Sequence, residues 1–314
     1  MIDTTQLPPF LVQEVEAAYN QTDAEQVLAG CAAACERPVT LRANALKASA
    51  DEVAQDLEAA GIGFERVPWY PDAFVLDAGT RERALWELDL YREGKIYLQS
   101  LSSMLPPLVL EAAAGEDVLD MCAAPGGKTS QIAALTGGNV HLTACEMNGP
   151  RAEKLAYNLD KLGARNINVM RTDARKLDTF FSFDRILLDA PCTGTGTVRA
   201  GDERARKRIT PNLLSKVTKS QRALLDRALT VLKPGGVLVY STCSILPAEN
   251  EDQVNSALKR HRDCEVAPLE PAMFSGALPL VPNGLEGTLT VRPTKEFEGF
   301  YLAKIKKASR VRKK

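Results

Sequence analysis

Apolar residues recur at helical spacing over residues 7–19 and again over 24–35, so the chain should open with two amphipathic helices, the second stopped by Pro38. Cys31 and Cys35 lie four residues apart on one face of that second helix and are expected in the core. The pattern then changes period. Residues 39–46 alternate, residues 50–60 return to helical spacing behind Ser49 as an N-cap and ahead of Gly61, and residues 64–69 alternate again. This is a β-α-β pattern, read as a small α+β module that is either RNA-recognition-like or a structural cap. Short strands at 74–76 and 95–98 and a helix over 103–113 complete the segment. Gly115 breaks it, giving an N-terminal domain over 1–115.

Beyond Gly115 the alternation becomes regular. Apolar segments at 117–121, 140–145, 167–170, 185–188 and 237–240 are separated by helical stretches at 128–135, 151–162 and 213–232. Strands alternating with helices predict parallel β-α-β units in a doubly wound, Rossmann-like α/β sheet over 116–306. One further helix at 247–262 and closing strands at 289–292 and 297–305 follow. Residues 307–314 are left as a basic tail.

Composition narrows the class. Seven cysteines form no C-x-x-C pair and there are only two histidines, which argues against a zinc site. An odd cysteine count without a basic-then-apolar leader points to a reducing, cytoplasmic setting. No apolar run approaches the roughly 18 residues of a membrane span. The net charge of −1 hides an asymmetry. Residues 1–116 hold 8 Lys and Arg against 19 Asp and Glu, whereas the rest holds 31 against 21. A polyanion would be drawn to the second part.

The candidate chemistry sits where strands end. The run Leu187-Leu188-Asp189-Ala190-Pro191-Cys192-Thr193-Gly194-Thr195-Gly196 brings a carboxylate and a thiol to the end of a buried strand, the place where open α/β sheets put ligands. Another loop, Cys122-Ala123-Ala124-Pro125-Gly126-Gly127-Lys128, leaves the first parallel strand and opens a helix. Its glycines let backbone approach a ligand, yet it is neither G-x-G-x-x-G nor a complete Walker loop. A nucleoside without pyrophosphate, S-adenosyl-L-methionine, suits it better than a triphosphate. Glu146, about 20 residues on, is placed to accept ribose hydroxyls, Asp173 to meet an adenine amino group, and Arg151 lies beside them. Tyr240-Ser241-Thr242-Cys243-Ser244 delivers a second thiol at the next strand end.

Taken together, D-x-C-A-A-P-G-G-K-T, L-L-D-A-P-C-T-G-T-G and Y-S-T-C-S resemble the Sun/Nop family of RNA cytosine-5 methyltransferases. The resemblance extends to Arg42-Ala43-Asn44, to the segment around Gln99 and Ser102-Ser103-Met104-Leu105-Pro106, and to Gly299-Phe300-Tyr301; within the family it is most similar to bacterial RsmF-like ribosomal RNA enzymes. It implies a Rossmann-like S-adenosylmethionine-dependent methyltransferase sheet with a small N-terminal α+β domain. In that family's chemistry Cys243 would add to cytosine carbon 6, Asp189 would supply a proton to the ring, and Cys192 would release the product. The substrate base must be unstacked, so the partner is single-stranded or locally opened RNA, expected to be ribosomal. Arg42 and Asn44, with Arg199, Arg204, Arg206, Lys207 and Arg208 after the Cys192 loop, are candidate RNA contacts. The C-terminal RNA-binding extension of larger RsmF-like enzymes is expected to be absent. No metal and no membrane are expected to take part, and the protein is expected to be a monomer. Rival readings are a transfer RNA methyltransferase, a DNA-type enzyme with Cys192 as nucleophile, and a catalytically silent ribosome-assembly factor.

Overall fold

The computed structural model describes residues 4–309, and the chain forms two compact units, Pro38–Leu187 and Met1–Arg37 with Leu188–Lys314. The second unit begins with helices α1 (Pro9–Ala18) and α2 (Gln21–Ala33). Asn20 caps α2 by accepting from the Asp23 N–H at 3.0 Å. Leu11, Val15, Val27, Leu28 and Cys31 are buried together with Ile209 and Ile245. Burial pushes the Cys31 thiol up to about 12, as suits an inert core residue. Cys35 departs from the expectation, because it is exposed. The α-helix ends at Ala33 and tightens into a 3-10 turn, Ala34–Glu36, whose three-residue period turns Cys35 off the buried face.

In the unit Pro38–Leu187 the chain first builds β1 (Thr40–Ala43), α3 (Ala50–Ala59), β2 (Phe64–Arg66), β3 (Ala73–Leu76), the short helices α4 (Glu82–Trp86) and α5 (Asp89–Arg92), and β4 (Ile96–Leu98). Ser49 caps α3 as expected, in a reciprocal box: its N–H donates to Glu52 Oε2 at 2.7 Å and its Oγ accepts from the Glu52 N–H at 3.2 Å. The four strands form an antiparallel sheet in the order β2-β3-β1-β4 over a core of Leu41, Val53, Leu57, Phe74 and Ile96. Thus β3 lies between the two strands that flank α3. Alternation marks strands but carries no record of their neighbours.

Helix α6 (Leu101–Leu110) follows, capped by Ser100, and the pattern then turns parallel. Strand β5 (Asp117–Asp120), α7 (Gly127–Leu135), β6 (His141–Cys145), α8 (Gly149–Lys161), β7 (Ile167–Met170) and β8 (Phe183–Asp189) are arranged so that β6 pairs with β7 and β5, and β5 with β8, all parallel. Consecutive residues Val118 and Leu119 of β5 are both fully buried, as in a sheet covered on both faces. Four of the predicted strands and two of the predicted helices fall here, each within a few residues of its expected bounds.

The last two residues of β8 belong to the other unit, which continues through α9 (Glu203–Arg208), α10 (Pro211–Val231), β9 (Leu232–Thr242), α11 (Glu251–Arg260), β10 (Cys264–Val266), β11 (Leu280–Val281), β12 (Leu289–Val291) and β13 (Phe300–Lys307). Here pairing is antiparallel: β13 lies against β9 (Leu302 opposite Ser241), β12 and β10. Strands β10 and β11, of three and two residues, are too short to show a period and escape the sequence reading. Lys307 ends β13 with its Nζ donating to the Leu229 carbonyl at 2.7 Å; residues 310–314 of the expected basic tail lie outside the described residues. No helix among the described residues is long and apolar enough to cross a membrane.

Candidate active site

At the carboxyl end of β5 the turn is built by one buried acid. Asp120 accepts from the Cys122 N–H at 3.3 Å and from Thr129 Oγ at 2.7 Å, tying the strand end to the first turn of α7. Between them Ala123 N–H donates to the Cys145 carbonyl at 3.0 Å, and Gly126 holds φ +109°, open to glycine alone at little cost. A Cβ on Gly127 would lie 2.7 Å from the Tyr97 ring, so that position also requires glycine. Helix α8 holds the loop from outside: Arg151 donates to the Ala124 carbonyl at 2.9 Å and Asn158 to the Pro125 carbonyl at 2.7 Å. Lys128, the only cation of the loop, donates to Ser103 Oγ at 2.7 Å.

Two carboxylates stand at the ends of β6 and beyond β7. Glu146 is nearly buried; its Oε1 accepts from Asn148 N–H at 2.8 Å and its Oε2 lies 3.3 Å from an Arg151 nitrogen. Arg151 therefore couples this acid to the loop carbonyl. Asp173 caps the 3-10 turn Ala174–Lys176 and faces Arg175 through two bonds of 2.8 Å, which hold its carboxyl below the usual carboxylate range. A carboxylate has about four acceptor positions. Glu146, with two named donors, keeps capacity for a ribose diol. The small buried Ala123 and Ala124, the two glycines and these acids suit a nucleoside such as that of S-adenosylmethionine.

The thiols stand in the other unit. Asp189 Oδ1 accepts from Ser241 Oγ at 2.8 Å, and Ala190 N–H donates to the Ser241 carbonyl at 2.8 Å, which fixes the end of β8. The Cys192 and Cys243 sulfurs are 3.1 Å apart. Gly196 N–H donates to the Cys243 carbonyl at 3.0 Å, so the two cysteine loops meet through backbone, and a Cβ on Gly196 would lie 1.9 Å from the Gly299 carbonyl oxygen. The Cys192 thiol is pushed well above the ordinary range by its hydrogen bond to Cys243, by burial, and by the charges of Cys243, Glu249 and Asp189. At 3.1 Å the two sulfurs share a hydrogen bond in which either can be the donor, and the shift favours the protonated form of Cys192.

Two expected RNA contacts are corrected. Arg42 and Asn44 are both fully buried. Arg42 donates to Gln99 Oε1 at 3.2 Å and Ser130 Oγ at 3.1 Å, and Asn44 to the carbonyls of Gly94 and Leu162 at 2.8 and 2.7 Å. They are internal ties, because neither reaches solvent. Arg199, Arg204, Arg206, Lys207 and Arg208 are exposed, the last four on α9, with Arg206 donating to the Thr5 carbonyl at 2.8 Å. Glu249 escapes the sequence reading. It falls in the first turn of the helix predicted over 247–262, where an acid is ordinary, and nothing in its neighbours shows that it is buried.

A parallel sheet with helices between its strands, a small-residue loop after the first strand and acids at the following strand ends defines a Rossmann-like methyltransferase fold. Residues 107–306 match the family model of the 16S rRNA methyltransferase RsmB/F, and residues 7–81 match that of an RsmF/B-like methyltransferase ferredoxin-like domain. The chain belongs to the RsmB/F family of 16S rRNA methyltransferases. It is 36% identical over 309 residues to ribosomal RNA small subunit methyltransferase F of Serratia proteamaculans, covering 96% of this chain and 63% of that one. It is also 36% identical over 278 residues to the protein of the same name from Shewanella amazonensis, covering 87% and 59%. The chain thus spans about three fifths of the length of these relatives. A solved methyltransferase homolog from Pyrococcus horikoshii is 33% identical with a TM-score of 0.77, covering 96% of this chain and all of that one.

Proposed function

We propose that the protein is an S-adenosylmethionine-dependent RNA (cytosine-5)-methyltransferase that acts on ribosomal RNA in the cytoplasm through a covalent Cys243 adduct. The observation that carries this reading is the pair of thiols 3.1 Å apart at the ends of β8 and β9. Membership of the RsmB/F family supports the ribosomal substrate. Family models ending at 81 and beginning at 107 support domains of 1–115 and 116–306.

Cytosine carbon 5 is a poor nucleophile until a group adds at carbon 6. Cys243 makes that addition as the thiolate, and Asp189 hydrogen-bonds the base edge and protonates the ring nitrogen. S-adenosylmethionine, when bound, supplies the methyl group; Glu146 and Asp173 would hold its nucleoside, and the loop from Cys122 to Lys128 with Arg151 would frame it. Once carbon 5 carries the methyl group, a base takes the carbon 5 proton, and the carbon 6–sulfur bond breaks with its electron pair returning to Cys243. The ring nitrogen gives its proton back to Asp189, and Cys192 serves that release. Arg199, Arg204, Arg206, Lys207 and Arg208 contact RNA phosphates.

A denaturing gel with labelled ribosomal RNA and S-adenosylmethionine separates the thiols. Cys243→Ala should abolish methylation and give no shifted band, whereas Cys192→Ala should accumulate protein bonded to RNA. A shifted band from Cys243→Ala would instead make Cys192 the nucleophile, as in the DNA-type reading. Full activity of both variants would refute covalent catalysis here.

A further inference from the structure

Each cysteine is followed directly by a hydroxyl residue, Thr193 or Ser244, and both hydroxyls reach the same atom. Glu249, in the 3-10 turn Pro247–Glu249 after β9, is fully buried. Its Oε2 accepts from Thr193 Oγ and Ser244 Oγ, each at 2.5 Å. Its Oε1 accepts from the Thr193 N–H at 2.8 Å and from Gln221 Nε2 at 3.0 Å. That same Gln221 nitrogen donates at 3.0 Å to the carbonyl of Pro191, the residue before Cys192. The Glu249 backbone is fixed in turn, because Tyr240 OH donates to its carbonyl at 2.6 Å. The four donors to the carboxylate are neutral, so among the described residues the group is held by hydrogen bonds and not by a salt bridge.

A buried carboxylate without a cation is costly, and a sheet corner could be closed more cheaply with apolar side chains. The cost is understandable if the acid holds something that packing alone cannot. We propose that Glu249 is a positioning residue for the thiol pair: one carboxylate clamps the Cys192 loop and the Cys243 loop together and keeps the two sulfurs adjacent with their roles distinct. The clamp works through Thr193 and Ser244, so a shift of either loop breaks a bond to the same group. Its fixed negative charge also favours the protonated state of Cys192. This assignment deepens the methyltransferase reading and rests on it for the meaning of the two roles, but the geometry it explains belongs to the free protein.

The test follows each thiol separately. The full chain is alkylated with iodoacetamide at fixed pH, without RNA or S-adenosylmethionine, and modification of Cys192 and Cys243 is timed by peptide mass spectrometry. In the wild-type protein Cys243 should react about tenfold or more faster than Cys192, since only the thiolate attacks. Glu249→Gln keeps the side-chain shape but places a donor against donors, and that ratio should fall about fivefold or more toward unity with the thermal midpoint nearly unchanged. Thr193→Val combined with Ser244→Ala retains the acid and removes two donors, and the ratio should fall less, in the same direction. An unchanged ratio in the folded variants overturns the proposal; should Glu249→Gln not fold, the Thr193 and Ser244 variant decides. Loss of methylation with an unchanged ratio would leave the methyltransferase reading intact and remove the clamp. A collapsed ratio in a protein that never methylates RNA would do the reverse.

Discussion

Glu146 and Glu249 are both buried carboxylates just past strand ends, and they are held in opposite ways. Glu146 leans on Arg151, a cation with its side chain 58% exposed, and keeps acceptor capacity. Asp173 repeats the arrangement with Arg175. Glu249 is filled by four neutral donors drawn from three separate segments. The contrast fits the roles proposed for the two acids. An acid that receives a polar ligand needs spare lone pairs and a partner that can yield, whereas an acid that fixes two reactive loops needs every lone pair spent and no partner free to move.

The sharpest way to break that comparison is truncation. Glu249→Ala should cost about 3 kcal/mol or more, because it strands the buried Thr193 N–H and Gln221 amide and opens a cavity, while Glu146→Ala should cost about 1 kcal/mol. Urea unfolding of the two variants measures the difference, and equal losses would erase it. Arg42→Met should cost about 2 kcal/mol by the same logic of abandoned buried partners, yet leave the RNA affinity of folded protein unchanged. By contrast, Arg204→Ala with Lys207→Ala should hardly affect stability and should make the slope of log affinity against log salt shallower by up to about one for each phosphate no longer neutralised. A weaker RNA complex with Arg42→Met alone would restore that residue to the interface.

Smaller effects test the ligand-facing acids. Glu146→Gln should weaken S-adenosylmethionine binding about tenfold, roughly 1.4 kcal/mol, in a calorimetric titration. Asp173 is held below the usual carboxylate range by Arg175, so its contribution to stability is present above the unfolded value of about 3.9 and fades as pH falls through the folded one. The stability gap between wild type and Asp173→Asn should therefore be on the order of 0.5 kcal/mol at neutral pH and close below about pH 4, since a surface pair is screened by solvent. A gap that widens on acidification would contradict the pairing.

The chain's periodicity is enough for the parallel region and its loops. Its inner strands are buried on both faces and its helices on one, so hydrophobic spacing reports them directly, and glycine is demanded at 126 by a positive φ, at 127 by the Tyr97 ring and at 196 by the Gly299 backbone. The strand ends carrying Asp189, Cys192 and Cys243 are legible for the same reason. Tertiary structure decided what periodicity cannot express. It inserted β3 beside β1, turned Cys35 outward at a helix end, and drew Arg42 and Asn44 inward although arginine and asparagine are ordinarily surface residues. It also placed Glu249 against Thr193, 56 residues away in the chain. Burial of a polar side chain depends largely on partners brought from distant segments, such as Thr193 and Gln221 for Glu249, and a local sequence window does not contain them.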